Sequence, residues 1–215
     1  GNYATFLTNH DQNRVMSVLA GEAGKAKIAA SLMLTAPGTP FIYYGEEIGM
    51  QGKKPDEDIR LPMQWDGNQA TAGFTTGVPW RAPDAGTQAA NVLSEEADPA
   101  SLLNHYRALI ALRKTHPALQ TGSLLVLDTG SPAVFASLRR EGEQAILVLI
   151  NLGKEKVTAY TLAFPAGALP DGNYAPLTLF GGQAAGSLSI SAGEAATYQP
   201  LSELVPQSTY IFELK

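Results

Sequence analysis

The chain has 215 residues, of which 45% are hydrophobic, 8% aromatic and 16% charged, an ordinary globular composition that excludes disorder, collagen and a membrane-spanning protein. Fifteen basic against 20 acidic residues give a formal charge of −5, with both signs in both halves, so no positive field exists to attract a phosphate backbone and nucleic acid is not an expected partner. The absence of cysteine removes disulfides, thiol catalysis and Cys-ligated zinc. His10, His105 and His116 are too scattered for a His-based metal centre. The opening Gly is followed by no charged-then-apolar leader, so any targeting peptide is expected to lie outside these residues and the compartment stays open.

Residues 3–8, Tyr-Ala-Thr-Phe-Leu-Thr, predict a short strand that runs into the polar cluster Asn9-His10-Asp11-Gln12-Asn13-Arg14. An Ala-rich stretch from Glu22 to Thr35 places Ile28, Leu32 and Thr35 at helical spacing, and Pro37-Gly38 stops it. Pro40 to Tyr44 reads as a second apolar strand delivering the chain into Gly45-Glu46-Glu47. This strand, loop, helix order implies parallel α/β architecture. Residues 45–98 form an irregular excursion rich in Gly, Pro, Asp and Gln, far beyond the usual connection of about 2–8 residues, and such loops are more often functional than decorative. Asp98-Pro99 reads as an N-cap with Pro at the first helical position, opening a helix over 101–116 with Leu102, Tyr106, Leu109, Ile110 and Arg113 along one stripe.

From Leu124 onward the pattern changes. Leu124–Val126, Ala133–Leu138, Ala145–Ile150, Val157–Phe164, Tyr174–Phe180, Leu188–Ile190 and Tyr210–Leu214 are short apolar or alternating runs punctuated by Gly, Pro, Asn and Asp. Seven short strands without a helix predict an antiparallel β-sandwich. The boundary is expected near Gln120 to Ser123, giving domains 1–120 and 121–215.

Asn9-His10-Asp11 stands where a parallel strand would end, the edge at which α/β folds assemble their sites. Two readings fit these residue types: Asp11 as an electrostatic group facing developing positive charge with His10 donating to a polar ligand, or an Asx turn capping the next segment. The surrounding text bears on the choice. Phe6-Leu-Thr-Asn-His-Asp-Gln-Asn-Arg14 resembles the fourth conserved region of the α-amylase family, glycoside hydrolase family 13. Gly38-Thr-Pro-Phe-Ile-Tyr-Tyr-Gly-Glu-Glu-Ile-Gly49 looks like that family's eighth barrel strand and the start of its loop. Arg60-Leu-Pro-Met-Gln-Trp-Asp66 is similar to the segment that follows in α-glucosidase-like members, and Leu102–Arg113 with His116-Pro-Ala-Leu119 resembles the last barrel helix. All four occur in the family's order.

The resemblance implies the last two strand-helix units of a (β/α)₈ barrel followed by a β-sandwich C-terminal domain. It gives Asp11 the role of stabilising the transition state through the hydroxyls of the sugar at the cleavage point, His10 an adjacent hydroxyl contact, and Arg14 and Arg60 the orienting of carboxylates or holding of sugar hydroxyls, Arg60 being the better candidate for direct contact. The Glu46-Glu47 pair is implied to support its loop. Trp65 and Trp80 could stack on sugar rings or pack the loop down, Lys53-Lys54 and Asp56-Glu57-Asp58 read as a solvated charged turn, and Tyr43 and Tyr44 as core and rim of the barrel.

A retaining glycosidase needs two further carboxyl groups, a nucleophile and an acid/base, about 5–5.5 Å apart, and the family segments that supply them precede the Asn-His-Asp region. They are therefore expected outside this chain, and the isolated chain is expected to be inactive. Two strand-helix units cannot close a barrel of about 250 residues, so apolar surface should be exposed until the rest of the barrel, or a second copy, covers it. Calcium occurs in many family members, but no oxygen-ligand loop is recognisable here, so neither metal nor cofactor is expected. The expected substrate is an α-glucan or maltooligosaccharide. The alternatives are a non-catalytic glucan-binding or accessory protein of the same fold and a transglycosylase or trehalose-forming relative.

Overall fold

Strands β1 (Ala4–Phe6) and β2 (Thr39–Phe41) lie side by side in parallel, Ala4 opposite Thr39 and Phe6 opposite Phe41. Between them the chain makes the single turn of α1 (Val15–Val18) and the longer α2 (Ala23–Thr35), so β1, α2 and β2 form one parallel crossover unit. Alanines at 23, 26, 29 and 30 favour the helix intrinsically, and Ala26, Ile28, Ala30, Met33 and Leu34 are buried while Leu32 is only half-buried. The return to β2 passes over the Tyr3 carbonyl. Gly38 makes that passage at φ +99°, where an added Cβ would lie 2.6 Å from the Tyr3 oxygen, so the Pro37-Gly38 stop has a steric requirement for glycine as well as a local one.

This computed structural model describes residues 3–191 and 194–215; Gly1, Asn2, Ala192 and Gly193 lie outside the described residues. The chain divides into two compact units, residues 1–34 with 38–111, and residues 35–37 with 112–215. In the first unit the long excursion after β2 is not featureless. It carries a 3-10 turn at Glu46–Ile48, the short α3 (Asp56–Ile59), a second 3-10 turn at Ala85–Gln88 and α4 (Val92–Ala97), before α5 (Leu102–Thr115). Ile48, Met50, Leu61 and Leu103 form a buried cluster with Met63 and Val92 against it, which pins the excursion to the start of α5. The α5 stripe of Leu102, Tyr106 and Leu109 is buried as its spacing predicts. Its cap differs: the Ser101 hydroxyl accepts from Asn104 N at 3.1 Å, whereas Asp98 closes α4 and its carboxylate accepts from Ala100 N. Among the described residues no helix is long and apolar enough to cross a membrane.

The second unit is built on a five-stranded antiparallel sheet in the order β3-β4-β5-β11-β8, from β3 (Ser123–Leu127), β4 (Val134–Glu141), β5 (Gln144–Asn151), β8 (Pro176–Phe180) and β11 (Thr209–Leu214). Two smaller antiparallel pairs accompany it, β6 (Leu162–Phe164) with β10 (Ala196–Tyr198) and β7 (Gly172–Tyr174) with β9 (Leu188–Ile190). One core joins them: Leu138, Leu147, Leu149, Tyr210 and Phe212 of the large sheet pack with Leu162, Phe164, Ile190 and Tyr198 of the pairs. The opposite face of β5, Ile146, Val148 and Ile150, is buried too. Helix α6 (Pro117–Gln120) packs on β4 and β5, with Ala118 N donating to the Gln144 side chain at 2.9 Å. That packing groups residues 112–120 with the sheet in the compact second unit.

Candidate functional site

The loop after β1 is shaped by its own polar side chains. Asn9 Oδ1 accepts from Asp11 N at 2.9 Å, and Asn9 O accepts from Gln12 N at 3.3 Å, which is the Asx turn that Asn at this position favours. The turn leaves the next two side chains in solvent: His10 and Asp11 are 66% and 63% exposed, with His10 Nε2 at 3.3 Å from Asp11 Oδ2. The turn and the functional reading are thus compatible, because the turn presents the pair.

Arg60 reaches this loop from the end of α3, 49 residues along the chain. Its Nε donates to the His10 carbonyl at 2.9 Å, and Nη2 donates to Asp11 Oδ1 at 3.1 Å and to Asp56 Oδ2 at 2.8 Å. An exposed ion pair of this kind contributes little to stability, but a planar guanidinium fixed along one edge still offers donors to a ligand; Nη1 is bound to nothing among the described residues. Asp56 is held below the usual carboxylate range, first by its hydrogen bond from the Lys54 ammonium and then by the Arg60 charge. The 56–58 turn, read from sequence as merely solvated, is therefore tied to two arginines, since Asp58 also pairs with Arg81 at 2.6 Å.

Arg14 is placed differently from the other three residues. It is 1% exposed, its Nη1 donates to the Tyr44 carbonyl at 2.7 Å, and its guanidinium carbon lies 4.6 Å and 4.7 Å from the ring centres of Tyr43 and Tyr44. It does not share the exposed edge with His10, Asp11 and Arg60. Beneath the same loop, Glu46 accepts from Tyr106 Oη at 2.7 Å and from Thr8 Oγ1 at 3.4 Å. Burial is the main cause that pushes its carboxyl up to about 7, and the two hydrogen bonds only partly offset it. Tyr106 and Thr8 as partners of Glu46 were not anticipated; the signal available was a tyrosine on the buried stripe of α5, whose hydroxyl needs an acceptor.

Beside the site, the β1–β2 face is uncovered. Tyr3, Phe6 and Phe41 are 63%, 46% and 58% exposed, and a groove of about 290 Å³ runs along Ala4, Phe6, Thr8, Phe41, Ile42 and Tyr43. Parallel strands are normally covered on both faces. Trp65 and Trp80 in the excursion are also exposed. Among the described residues no group of three or more His, Asp or Glu is arranged to hold a metal ion.

Comparison with known proteins places this geometry in context. The family model "Alpha amylase, catalytic domain" matches residues 1–122. The chain is 40% identical over 151 residues to "Alpha-amylase 3" of Dictyoglomus thermophilum, covering 70% of this chain and 30% of that protein, and 33% identical over 193 residues to "Probable oligo-1,6-glucosidase 2" of Bacillus subtilis, covering 70% and 34%. Among solved structures, an α-amylase from H. orenii superposes with a TM-score of 0.75 at 33% identity over 99% of this chain and 40% of that one. A mutant of the trehalulose synthase MutB from Pseudomonas mesoacidophila, bound to glucose, gives 0.75 at 29% identity over 100% and 43%. The chain spans about a third of the length of the curated relatives it matches. It belongs to the α-amylase family, glycoside hydrolase family 13.

Proposed function

We propose that this chain forms the closing part of the catalytic barrel, residues 1–120, and the C-terminal sandwich domain, residues 121–215, of a retaining glycoside hydrolase that acts on α-glucosidic bonds of α-glucans or maltooligosaccharides. The observation that carries the reading is the exposed edge on which Arg60 holds both the His10 carbonyl and the Asp11 carboxylate. As the bond from the anomeric carbon to the leaving oxygen lengthens, positive charge grows on the sugar ring. A carboxylate fixed beside the ring hydroxyls strengthens its hydrogen bonds at that moment and lowers the barrier. Asp11 takes that role, His10 donates to a neighbouring hydroxyl, and Arg60 orients the Asp11 carboxylate while its Nη1 binds the sugar. The nucleophile and the acid/base come from residues outside this chain, and the uncovered β1–β2 face receives the remaining barrel strands.

In a full-length enzyme containing this chain, reducing-sugar release from maltotriose should fall by about 10²–10³-fold on Asp11→Ala, while the 215-residue chain alone should release none. Turnover by the isolated chain that is lost on Asp11→Ala would overturn the reading. The likeness to trehalulose and isomaltulose synthases favours one further reading, transfer of the sugar to a second sugar in place of water. Product analysis of the full-length enzyme with sucrose and with maltotriose separates the two.

A further inference from the structure

A guanidinium removed from water is costly unless the protein returns its contacts, and Arg14 is 1% exposed with Nε and Nη2 lacking an acceptor among the described residues. Burial holds its pKa below the ordinary arginine value, against the opposing influence of Tyr44, Tyr43 and the Glu47 carboxylate. What the side chain does make is specific. Nη1 bonds the Tyr44 carbonyl, and the guanidinium carbon lies over both tyrosine rings, which meet each other edge-on with centroids 4.8 Å apart. The backbone of Arg14 donates to Gly52 O at 2.9 Å, at a point where an added Cβ on Gly52 would stand 2.3 Å from the Asp58 carbonyl. The tyrosine hydroxyls complete the path: Tyr43 donates to Ile59 O at 3.2 Å and Tyr44 to Leu61 O at 2.8 Å. Those are the carbonyls on either side of Arg60.

We propose that Arg14 is a positioning residue that acts through the Tyr43–Tyr44 pair to fix the backbone on both sides of Arg60, and so to set the guanidinium that faces His10 and Asp11. The proposal rests on the roles given above to Asp11 and Arg60. Arginine suits the task because its delocalised cation can sit over two rings while its fork of N–H groups still donates to a carbonyl; a lysine ammonium offers no such fork. Arg14 itself never meets the sugar.

The test uses the full-length enzyme with maltotriose and compares Arg60→Ala, Tyr43→Phe/Tyr44→Phe, the combination of all three substitutions, and Arg14→Lys. The phenylalanines keep both rings over Arg14 and delete only the bonds to residues 59 and 61, so folding is preserved even where Arg14→Lys fails to fold. The double Tyr variant should raise KM by about tenfold, with kcat changed less and the melting temperature nearly unchanged, and a folded Arg14→Lys should show the same KM-weighted loss, an unchanged KM there overturning the role of Arg14. In the Arg60→Ala background the same two substitutions should cause no further loss, because their effect passes through Arg60. A multiplicative loss in the combined variant, or an unchanged KM in the double variant, overturns the positioning role while Arg60→Ala still impairs turnover. Full turnover by Arg60→Ala would instead overturn the reading of the site itself, and this inference with it.

Discussion

Glu46 concentrates the strain of placing charge beneath the candidate site. It is 3% exposed and accepts from Tyr106 and Thr8, and burial raises its carboxyl to about 7, above the value of an unfolded chain. A raised folded-state pKa means that the folded chain holds the proton more tightly, so this group's contribution is fully present below about pH 4.5 and is lost as pH rises through about 7. Glu46→Gln keeps an acceptor for Tyr106 and carries no charge. The variant should be more stable than the parent at pH 8 by on the order of 2 kcal/mol, with the gap closing below pH 5, as urea unfolding at the two pH values would measure. Thr8, Glu46 and Tyr106 are 38 and 60 residues apart, so no local pattern could pair them; the same holds for Arg60 and Asp11. The exposed pair His10 and Asp11, by contrast, was legible as a polar cluster directly after a strand, because the Asx turn that presents it is encoded locally by Asn9.

At the scale of elements, the excursion between β2 and α5 is ordered by a few apolar anchors. Ile48, Met50, Leu61 and Leu103 close over one another, and the segment 59–61 is held between that cluster and the two tyrosine hydroxyls. Ile48→Ala should therefore destabilise the chain by about 2–4 kcal/mol, read by chemical denaturation. The two principal helices were readable because an Ala-rich run and a continuous apolar stripe each point to one state. The strands of the second unit were harder. The run 157–164 contributes ladder pairing only at Leu162–Phe164; its earlier part makes the isolated Val157–Leu204 bridge and is anchored by the buried Tyr160, whose hydroxyl donates to Leu201 O at 2.7 Å. The run 174–180 divides at Ala175 because β7 and β8 pair with different partners, β9 and β11. Strand β10, Ala196–Tyr198, carries only one large apolar residue and was not predicted. Partner choice of this kind is long-range information that alternation does not contain.

For the whole chain, the two units differ in how completely they satisfy themselves. Residues 146–150 of β5 are each 0% exposed, and both edges of that strand are paired, with β4 and β11. The β1–β2 pair has three ladder positions and leaves Phe6 and Phe41 open to solvent. Amide exchange in the 215-residue chain should accordingly show stronger protection over 133–164 than over 3–44; the reverse order would mean that the first unit needs no further cover. The central claim is that Asp11 steadies a sugar whose attacking carboxylate lies elsewhere. Its most direct measurement is the labelling of the full-length enzyme by 5-fluoro-α-glucosyl fluoride, which traps the glycosyl-enzyme of a retaining α-glucosidase. The account predicts a label on a carboxylate outside these 215 residues, formed about 10²–10³-fold more slowly after Asp11→Asn. A label on a residue within this chain, or an unchanged rate, would contradict it.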